Sequence, residues 1–563
     1  MFAERQSANP YRAWSARLEL LTSHCVKCES DGQLRARTQP RESGKLPRMR
    51  LVTCLCFALL GLQLPAETSP KPPLIIRAQL APEFSKAVSG RLLVFIGPGL
   101  DGKKVDTDPF QPLQVYVAAK EVLVWLPGTT INIDVNDIVF PKPLSEASPG
   151  DYQLQAVLDV AHSYNYAGRS AEDPLSDVVT LKDWAPVNGI LQTITLLQPT
   201  PLAANESKPV EHSEAIHGLS FSSPALANFW GREIVMRGWI VTPPSYQTKA
   251  KQRYPTVYYT HGFGGQLKYL RSVASDLYKR MEKQQMPEMI WVLLDESSAT
   301  GTHEFADSVN NGPWGKALAA ELIPYLERIY RMDGKARGRF LQGHSSGGWA
   351  TLWLQTRYPK TFGGAWSTSP DPSDFHDFTG VDLYAAHANM YHRPDGSAYP
   401  LIRDKGKVIA TIEQFGKLEQ VLGDYGGQFA SFEWVFSPRG ADGRPIQMFD
   451  RATGNVDPSV VAYWRDHYDI ANLVRQQWKT VGPQLRGKIH LIVGTADTFY
   501  LDGAAHRLQA VLDSLNADAK ITFFPDRTHF DLYKVGDDRS GLLNEIAKEM
   551  YAVARPNAGA NER

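Results

Sequence analysis

The stretch Leu341–Ala350 reads LQGHSSGGWA. Two adjacent serines stand between Gly343 on one side and Gly347 and Gly348 on the other. A glycine-rich surface loop would account for that composition. So would a strand-to-helix turn so tight that only glycine fits on either side, with one serine held out as a nucleophile. The flanks decide between the two. RFLQG ahead of the turn is a short apolar strand run, and SSGGWATLWLQTRYP behind it reads as a helix stopped by Pro359. Gly343-x-Ser345-x-Gly347 therefore falls between a strand and a helix, the context a nucleophile elbow requires. Ser345 is the candidate nucleophile, and the start of the helix beyond it favours developing negative charge.

Outward from this turn the chain alternates strand and helix, the signature of an α/β class with a largely parallel sheet covered by helices. YPTVYYTHG and MIWVLLDES read as strands on either side of the helical LKYLRSVASDLYKRMEKQ. WGKALAAELIPYLERIYR follows as a helix with Ala317, Leu318, Leu322, Tyr325 and Leu326 on its apolar face. FGGAWSTSP, KIHLIVGTAD and ITFFPDRTH give three further strands, with LDGAAHRLQAVLDSLNA an amphipathic helix between the last two and GLLNEIAKEMYAVA a closing helix. The aromatic- and glycine-rich segment 375–488 breaks this rhythm. Segments this long inside a compact domain usually have a function of their own, so we expect a cap insertion over the C-terminal edge of the sheet, where open α/β sheets bind ligands. Tyr425, Phe429, Trp434 and Phe436 are its candidate pocket walls, with buried packing an equal account of them.

Upstream, RLLVFIG, LQVYVAA, EVLVWLPG, INIDVNDIVF, DYQLQAVLDV and LQTITLLQ are short alternating or apolar runs punctuated by Gly, Pro and Asp. They predict an N-terminal all-β, sandwich-like (Ig-like) domain over 74–198. A polar linker over 199–220 and a catalytic domain over 221–556 follow, with a strand pair expected within REIVMRGWIVTP, Arg232–Pro243. Residues 1–66 read as a leader. Met49–Ala66, MRLVTCLCFALLGLQLPA, has the basic start, apolar run and small residue of a secretory signal, which points to translation from Met49 and an exported, periplasmic or extracellular protein. That apolar run is too short for a stable membrane span.

Nucleophilic serine chemistry needs a base, because the hydroxyl must lose its proton. Of 14 histidines, His529 in PDRTHFDLY directly follows the last strand at the same sheet edge. His344 reads as packing or pocket lining. A carboxylate must hold the imidazole tautomer and stabilise the imidazolium. Asp497 in IHLIVGTADTFYLDG follows a strand and completes the chain order Ser345, Asp497, His529. A helix cap is the plainer role for Asp497, but Asp502 is the better-placed cap; Asp371 and Asp374 are the fallback acids. Oxyanion donors are expected from the backbone of Phe263 or Gly264 in His261–Gly265, HGFGG, and of Ser346.

Composition narrows the partners. Lys+Arg and Asp+Glu both number 60 in 563 residues, so no basic field speaks for nucleic acid. Cys25, Cys28, Cys54 and Cys56 all lie in the leader, and His24-Cys25-x-x-Cys28 lacks the second pair of a zinc site. No metal or organic cofactor is expected.

THGFGG, DSVNNGPWGKALAAELIPYLERIYR, GHSSGGWATLWL, and VGTADTFYLDG followed by THFDLY resemble the putative esterase family of α/β-hydrolases. That family groups esterase D-like and enterochelin esterase-like enzymes, feruloyl and acetylxylan esterases, and mycolyltransferases. The resemblance covers about Arg232–Ala554 and implies an α/β-hydrolase fold. It implies Ser345 as nucleophile, Asp497 as acid, His529 as base, and Phe263 or Gly264 with Ser346 in the oxyanion hole. The β region resembles modules that precede this domain in bacterial members, whereas the enlarged 375–488 segment departs from the family and bears on the substrate. The expected activity is hydrolysis of a small-molecule or polysaccharide-linked carboxylic ester through an acyl-enzyme. Acyl transfer or peptide hydrolysis on the same residues, or polysaccharide binding without turnover, are the alternatives.

Overall fold

The computed structural model describes residues 74–190, 192–199 and 214–556. The leader, the signal segment, the cysteines and most of 199–220 lie outside the described residues. Pro70–Arg563 forms one compact unit, with two large sheets.

The second sheet positions the site. Its eight strands run, in spatial order, Ile216–Ser222, Val235–Val241, Ile290–Leu294, Thr256–Thr260, Arg339–His344, Gly364–Thr368, Ile489–Gly494 and Ala519–Phe524. Only Val235–Val241 runs antiparallel to its neighbours; the rest are parallel. Strand alternation feeds two cores. In IWVLL, Ile290, Val292 and Leu294 face one core with Trp349, Leu352 and Leu318, while Trp291 and Leu293 face the other with Leu277, Met281 and Ile546. Helices therefore cover both faces, as continuous apolar strands require. Leu267–Glu282 and Gly541–Ala554 lie on one face; Ser346–Arg357, Ile470–Leu485 and Leu501–Ser514 lie on the other.

Several local expectations shift. Within Arg232–Pro243 there is one strand, Val235–Val241, and its partner is Ile216–Ser222, drawn from the end of the stretch read as linker. Helix 314–329 has a wider π turn over Ala317–Leu322; Ala317, Leu318, Leu322 and Leu326 are buried and Tyr325 is half-buried. LQVYVAA and EVLVWLPG are one strand, Tyr116–Trp125. The segment 375–488 holds a hairpin, Pro400–Asp404 with Lys407–Thr411, and helices Ile412–Leu422, Gln428–Phe436, Pro458–His467 and Ile470–Leu485. The last packs on Ser346–Arg357 and Leu501–Ser514, so this end of the segment is an ordinary crossover between Gly364–Thr368 and Ile489–Gly494.

The first sheet, nine strands within residues 75–197, has an apolar core on each face. Leu92, Val94 and Ile96 point to the first, with Trp125 and Ile133. Leu93 and Phe95 point to the second, closed by Leu418, Val421 and Leu422 of helix Ile412–Leu422. The β region and the 375–488 segment thus share a core. Arg91 reinforces it, donating from Nε to Val421 O at 2.9 Å and from Nη2 to Gln420 O at 3.2 Å.

Within the 375–488 segment a buried ion pair ties two stretches together. Arg451 donates from both terminal nitrogens to Glu433, each at 2.9 Å, and Glu433 also accepts from Met448 N at 2.8 Å. Glu419 nearby accepts from the N–H groups of Phe429 and Ala430 at the start of helix Gln428–Phe436. Burial raises the pKa of Glu433 and of Glu419, an effect Arg451 opposes. Removing the guanidinium strands buried carboxylates, which costs about 3–5 kcal/mol. Arg451→Met is expected to lower stability by that order at pH 8 in urea melts. The deficit should shrink at pH 5, where protonation can neutralise both glutamates; an equal deficit at both pH values would refute this account.

Candidate active site

Ser345 ends strand Arg339–His344 with φ 60° and ψ −125°, a conformation L residues rarely adopt, and helix Ser346–Arg357 starts immediately after it. Neighbouring backbone holds it there. Ser345 N donates to Thr368 O at 3.0 Å, and Ser345 O accepts from Trp349 N and Asp371 N. The glycines make the approach possible. A Cβ at Gly343 would lie 2.2 Å from Gly347 O, and one at Gly347 would lie 2.4 Å from His261 O. A Cβ at Gly262 would lie 2.9 Å from that of Ser345, so the HGFGG loop runs directly against the serine.

His529 and Asp497 come from turns after the neighbouring parallel strands Ala519–Phe524 and Ile489–Gly494, which is why they meet. His529 Nδ1 and Asp497 Oδ2 are 2.9 Å apart, with both side chains buried. With Nδ1–H given to the carboxylate, Nε2 carries the lone pair. Asp497 does the plainer work too. Its Oδ1 accepts from Phe499 N at 2.9 Å and from Leu501 N, the first residue of the next helix, at 3.4 Å. Asp502 is not that helix's cap; it pairs with Arg403 at 2.7 Å, and Arg403 Nε donates to Asp497 O.

Electrostatics separates the carboxyls. Burial pushes Asp497 up, but the imidazole of His529 and the Phe499 N–H outweigh it and hold its pKa below the ordinary value. Asp371 is pushed up to about 6 by burial, with Ser346 Oγ donating to it at 2.6 Å as a partial offset. Asp374 caps the short helix Phe375–Asp377 through His376 N. The structure therefore brings Asp497 to His529, sets Asp371 against the hydroxyls of Ser346 and Ser345, and leaves Asp374 as a helix cap. His344 is pushed down to about 3, by burial first and by His529 second, and its ring centroid is 4.3 Å from that of His529.

Residues 262–265 form a turn closed by Gly265 N donating to Gly262 O at 3.1 Å, with Phe263 and Gly264 as its central pair. Gly264 has φ 78°, as the second central position of a type II turn requires. Among the described residues nothing accepts from the N–H of Phe263, while the N–H of Gly264 lies against the hydroxyl of Tyr166. Ser346 N stands at the first helical position, where the N–H has no partner within the helix.

Ser345, His529, Gly262 and Phe263 line a cavity of about 1020 Å³. Its walls come from three parts of the chain: Phe110 and Tyr164 of the β region, Leu418 and Phe429 of the 375–488 segment, and Phe499 and Phe530 around the histidine. Of the four aromatic candidates only Phe429 is among the lining residues. Phe436 is buried among Trp349, Phe375 and Trp464, and Trp434 packs against Tyr425. Sequence reasoning missed the β-region residues and Phe530, whose position beside His529 was the one available signal.

The strand order and the serine turn define an α/β-hydrolase. A match to the family described as Putative esterase spans residues 233–523, just over half of the chain, and the protein belongs to that family and is a hydrolase of ester bonds. Solved structures similar to it include a ferulic acid esterase, at 13% identity and a TM-score of 0.37 over 60% of this chain and 98% of that one. A fluorophosphonate-binding serine hydrolase of Staphylococcus aureus, FphF, is 13% identical with a TM-score of 0.35 over 60% and 98%. An S-formylglutathione hydrolase from Agrobacterium tumefaciens is 14% identical with a TM-score of 0.34 over 60% and 94%. No curated protein matches the chain.

Because the folded-state pKa of Asp371 is raised, its neutral form stabilises the fold at low pH and that contribution is lost as pH rises through about 6. Asp371→Asn keeps an acceptor for Ser346 and removes the titration. Its melting temperature relative to the parent should therefore rise between pH 4 and pH 8, a swing on the order of 3 kcal/mol. Parallel stability profiles would contradict the assignment.

Proposed function

We propose that the protein is an exported serine esterase that cleaves a carboxylic ester through an acyl-enzyme. The observation that carries this reading is that His529, held by Asp497 at 2.9 Å, and the strained Ser345 line one cavity. Ser345 Oγ attacks the acyl carbon while His529 Nε2 takes its proton. Asp497 keeps the imidazole in the required tautomer and stabilises the imidazolium. The carbonyl oxygen becomes an oxyanion and accepts hydrogen bonds from Ser346 N and from Phe263 or Gly264 N. Collapse of this intermediate breaks the ester C–O bond, and the imidazolium returns its proton to the departing alcohol. Water, deprotonated by the same imidazole, then attacks the acyl-serine, and the second collapse releases the acid and regenerates Ser345. An imidazole must be neutral to act as base, so activity falls in acid.

Export rests on Met49–Ala66 alone. Among the described residues no helix is long and apolar enough to cross a membrane. The β region 74–198 and the catalytic region, expected from 221 to 556 and extended here to include strand Ile216–Ser222, are taken as two domains, with 375–457 of the 375–488 insertion as the cap proper. The apolar side chains Leu401, Ile402, Phe415, Leu418, Phe429 and Phe432 in the cavity wall favour an ester with a large apolar arm over a bare sugar chain.

Ser345→Ala is expected to lose at least about 10³-fold in turnover of an aryl ester, and a fluorophosphonate should label the parent at Ser345 alone. A label elsewhere, or none, overturns the assignment of the nucleophile. Across p-nitrophenyl esters, kcat/KM is expected to rise about tenfold or more from acetate to octanoate, since each buried methylene contributes about 0.8 kcal/mol. A maximum at acetate would reject the apolar arm.

A further inference from the structure

The turn that carries the expected oxyanion donors is built from glycine on three of its four positions, Gly262, Gly264 and Gly265. Glycine lets the turn press against Ser345, but it also leaves the peptide planes free to rotate. Donors for a developing charge must be held before the charge appears. Two restraints are internal: Gly265 N donates to Gly262 O, and His261 Nδ1 lies 2.8 Å from the same oxygen. A third comes from about a hundred residues upstream.

Tyr166 lies in the helical turn Tyr164–Ala167 of the β region. Its hydroxyl donates to Gly265 O at 2.7 Å, and its ring meets that of Phe263 edge-on, with centroids 5.0 Å apart at 82°. One side chain thus grips both the residue that closes the turn and the first of its two central residues. Burial raises the pKa of the phenol, which keeps it a donor across the working range. The turn that carries Tyr166 is anchored on its far side as well. Asn165 Nδ2 donates to Glu419 O at 3.0 Å and Gly423 O at 2.7 Å, at the end of helix Ile412–Leu422. Tyr164 stacks on Phe95 of the β sheet at 5.3 Å and also lines the cavity. Tyr166 is therefore fixed to two rigid elements while it holds a flexible one.

We propose that Tyr166 is a positioning residue for the oxyanion turn, and that the N-terminal β region is for this reason a working part of the active site. The proposal rests on the esterase reading above. It assigns Tyr166 no contact with substrate; it acts through the backbone of 262–265.

The test is Tyr166→Phe in the full chain, which keeps the ring against Phe263 and removes only the hydroxyl's contacts with the backbone of Gly264 and Gly265. On an aryl ester, kcat is expected to fall about ten- to a hundredfold with KM within about threefold, as for loss of an interaction made chiefly in the transition state. Affinity for a boronic acid that forms a tetrahedral serine adduct should fall by the same factor as kcat/KM, and the melting temperature should change by only a few degrees. Arg91→Met loosens a different β-region contact, to Gln420 and Val421, without touching the turn, and its kcat should stay within about twofold of the parent. An unchanged kcat in Tyr166→Phe, a loss confined to KM, or an equal kcat loss in Arg91→Met overturns the proposal. Fluorophosphonate labelling separates the two levels. Absence of label at Ser345 in the parent defeats the esterase reading itself. Normal labelling with undiminished turnover in Tyr166→Phe defeats only the role of Tyr166.

Discussion

The site depends on three stretches of backbone approaching at Ser345 more closely than side chains would permit. The end of strand Arg339–His344, the start of helix Ser346–Arg357 and the 261–265 loop meet where Gly343, Gly347 and Gly262 have no Cβ to keep them apart. A non-glycine residue at positive φ costs about 1–3 kcal/mol. Here the bonds of Ser345 N to Thr368 O and of Trp349 N and Asp371 N to Ser345 O help to fix the unfavourable conformation. Thr260 Oγ1 to Gly347 O and Thr368 Oγ1 to Gly343 O extend the same lattice to the adjoining strands. The serine is presented because its surroundings leave it no other conformation.

Around that turn the carboxyl groups differ in burial and in partners, and this sorts them into different protonation states. Asp497 meets a basic ring and a backbone donor, and its pKa stays low. Asp371, equally buried, has only the hydroxyls of Ser346 and Ser345 as close partners and is pushed up to about 6. Glu296 and Glu304 lie deeper still, and burial raises both well above the ordinary carboxylate value, with Asp371 adding to the effect. The shift favours their neutral forms, which add no negative charge near the 261–265 loop that Glu296 adjoins through His261. A charged cluster there would oppose an oxyanion forming in front of it. The environment thus keeps Asp497 ionised beside the imidazole and shifts Glu296 and Glu304 towards the neutral form, with Asp371 between them, a separation of pKa values that assigns roles to chemically similar groups.

What the sequence revealed follows from how local each feature is. The strand-turn-helix around Ser345 is encoded within Arg339–Pro359, and the parallel pairing of Ile489–Gly494 with Ala519–Phe524 makes the turns holding Asp497 and His529 neighbours. Both could be read from periodicity and chain order. The edge strand Ile216–Ser222 was hidden because an edge strand has one neighbour and a half-exposed surface, so its composition blends with the polar stretch before it. Tyr116–Trp125 was divided in two because Lys120 and Glu121 interrupt its apolar run, although both are exposed on a strand that continues through them. The 375–488 segment looked uniform, and only packing against Ser346–Arg357 marks Ile470–Leu485 as part of the alternating core. Least legible were the β-region contacts to the 261–265 loop. No local pattern in YNYA announces a hydroxyl aimed at a carbonyl 99 residues away.

That last contact changes what the β region is for. A module that merely preceded the enzyme would keep its second sheet face polar, since solvent would cover it. Leu93, Phe95 and Val117 instead close a core with Leu418, Val421 and Leu422. The same helix Ile412–Leu422 then turns Leu418 and Leu422 into the cavity wall, and Phe110 reaches across to Phe530 beside the histidine at 5.7 Å. Because these apolar surfaces are shared, the β region cannot separate without exposing them to water, which costs about 25 cal/mol for each Å² uncovered. The shape of the cavity is therefore set jointly by a sheet some 250 residues upstream of Ser345 and by the segment inserted after it. Selection of the ester draws on the packed interface between the β region and helix Ile412–Leu422, while alignment of the oxyanion turn draws on the single side chain that the same region extends to residues 263–265.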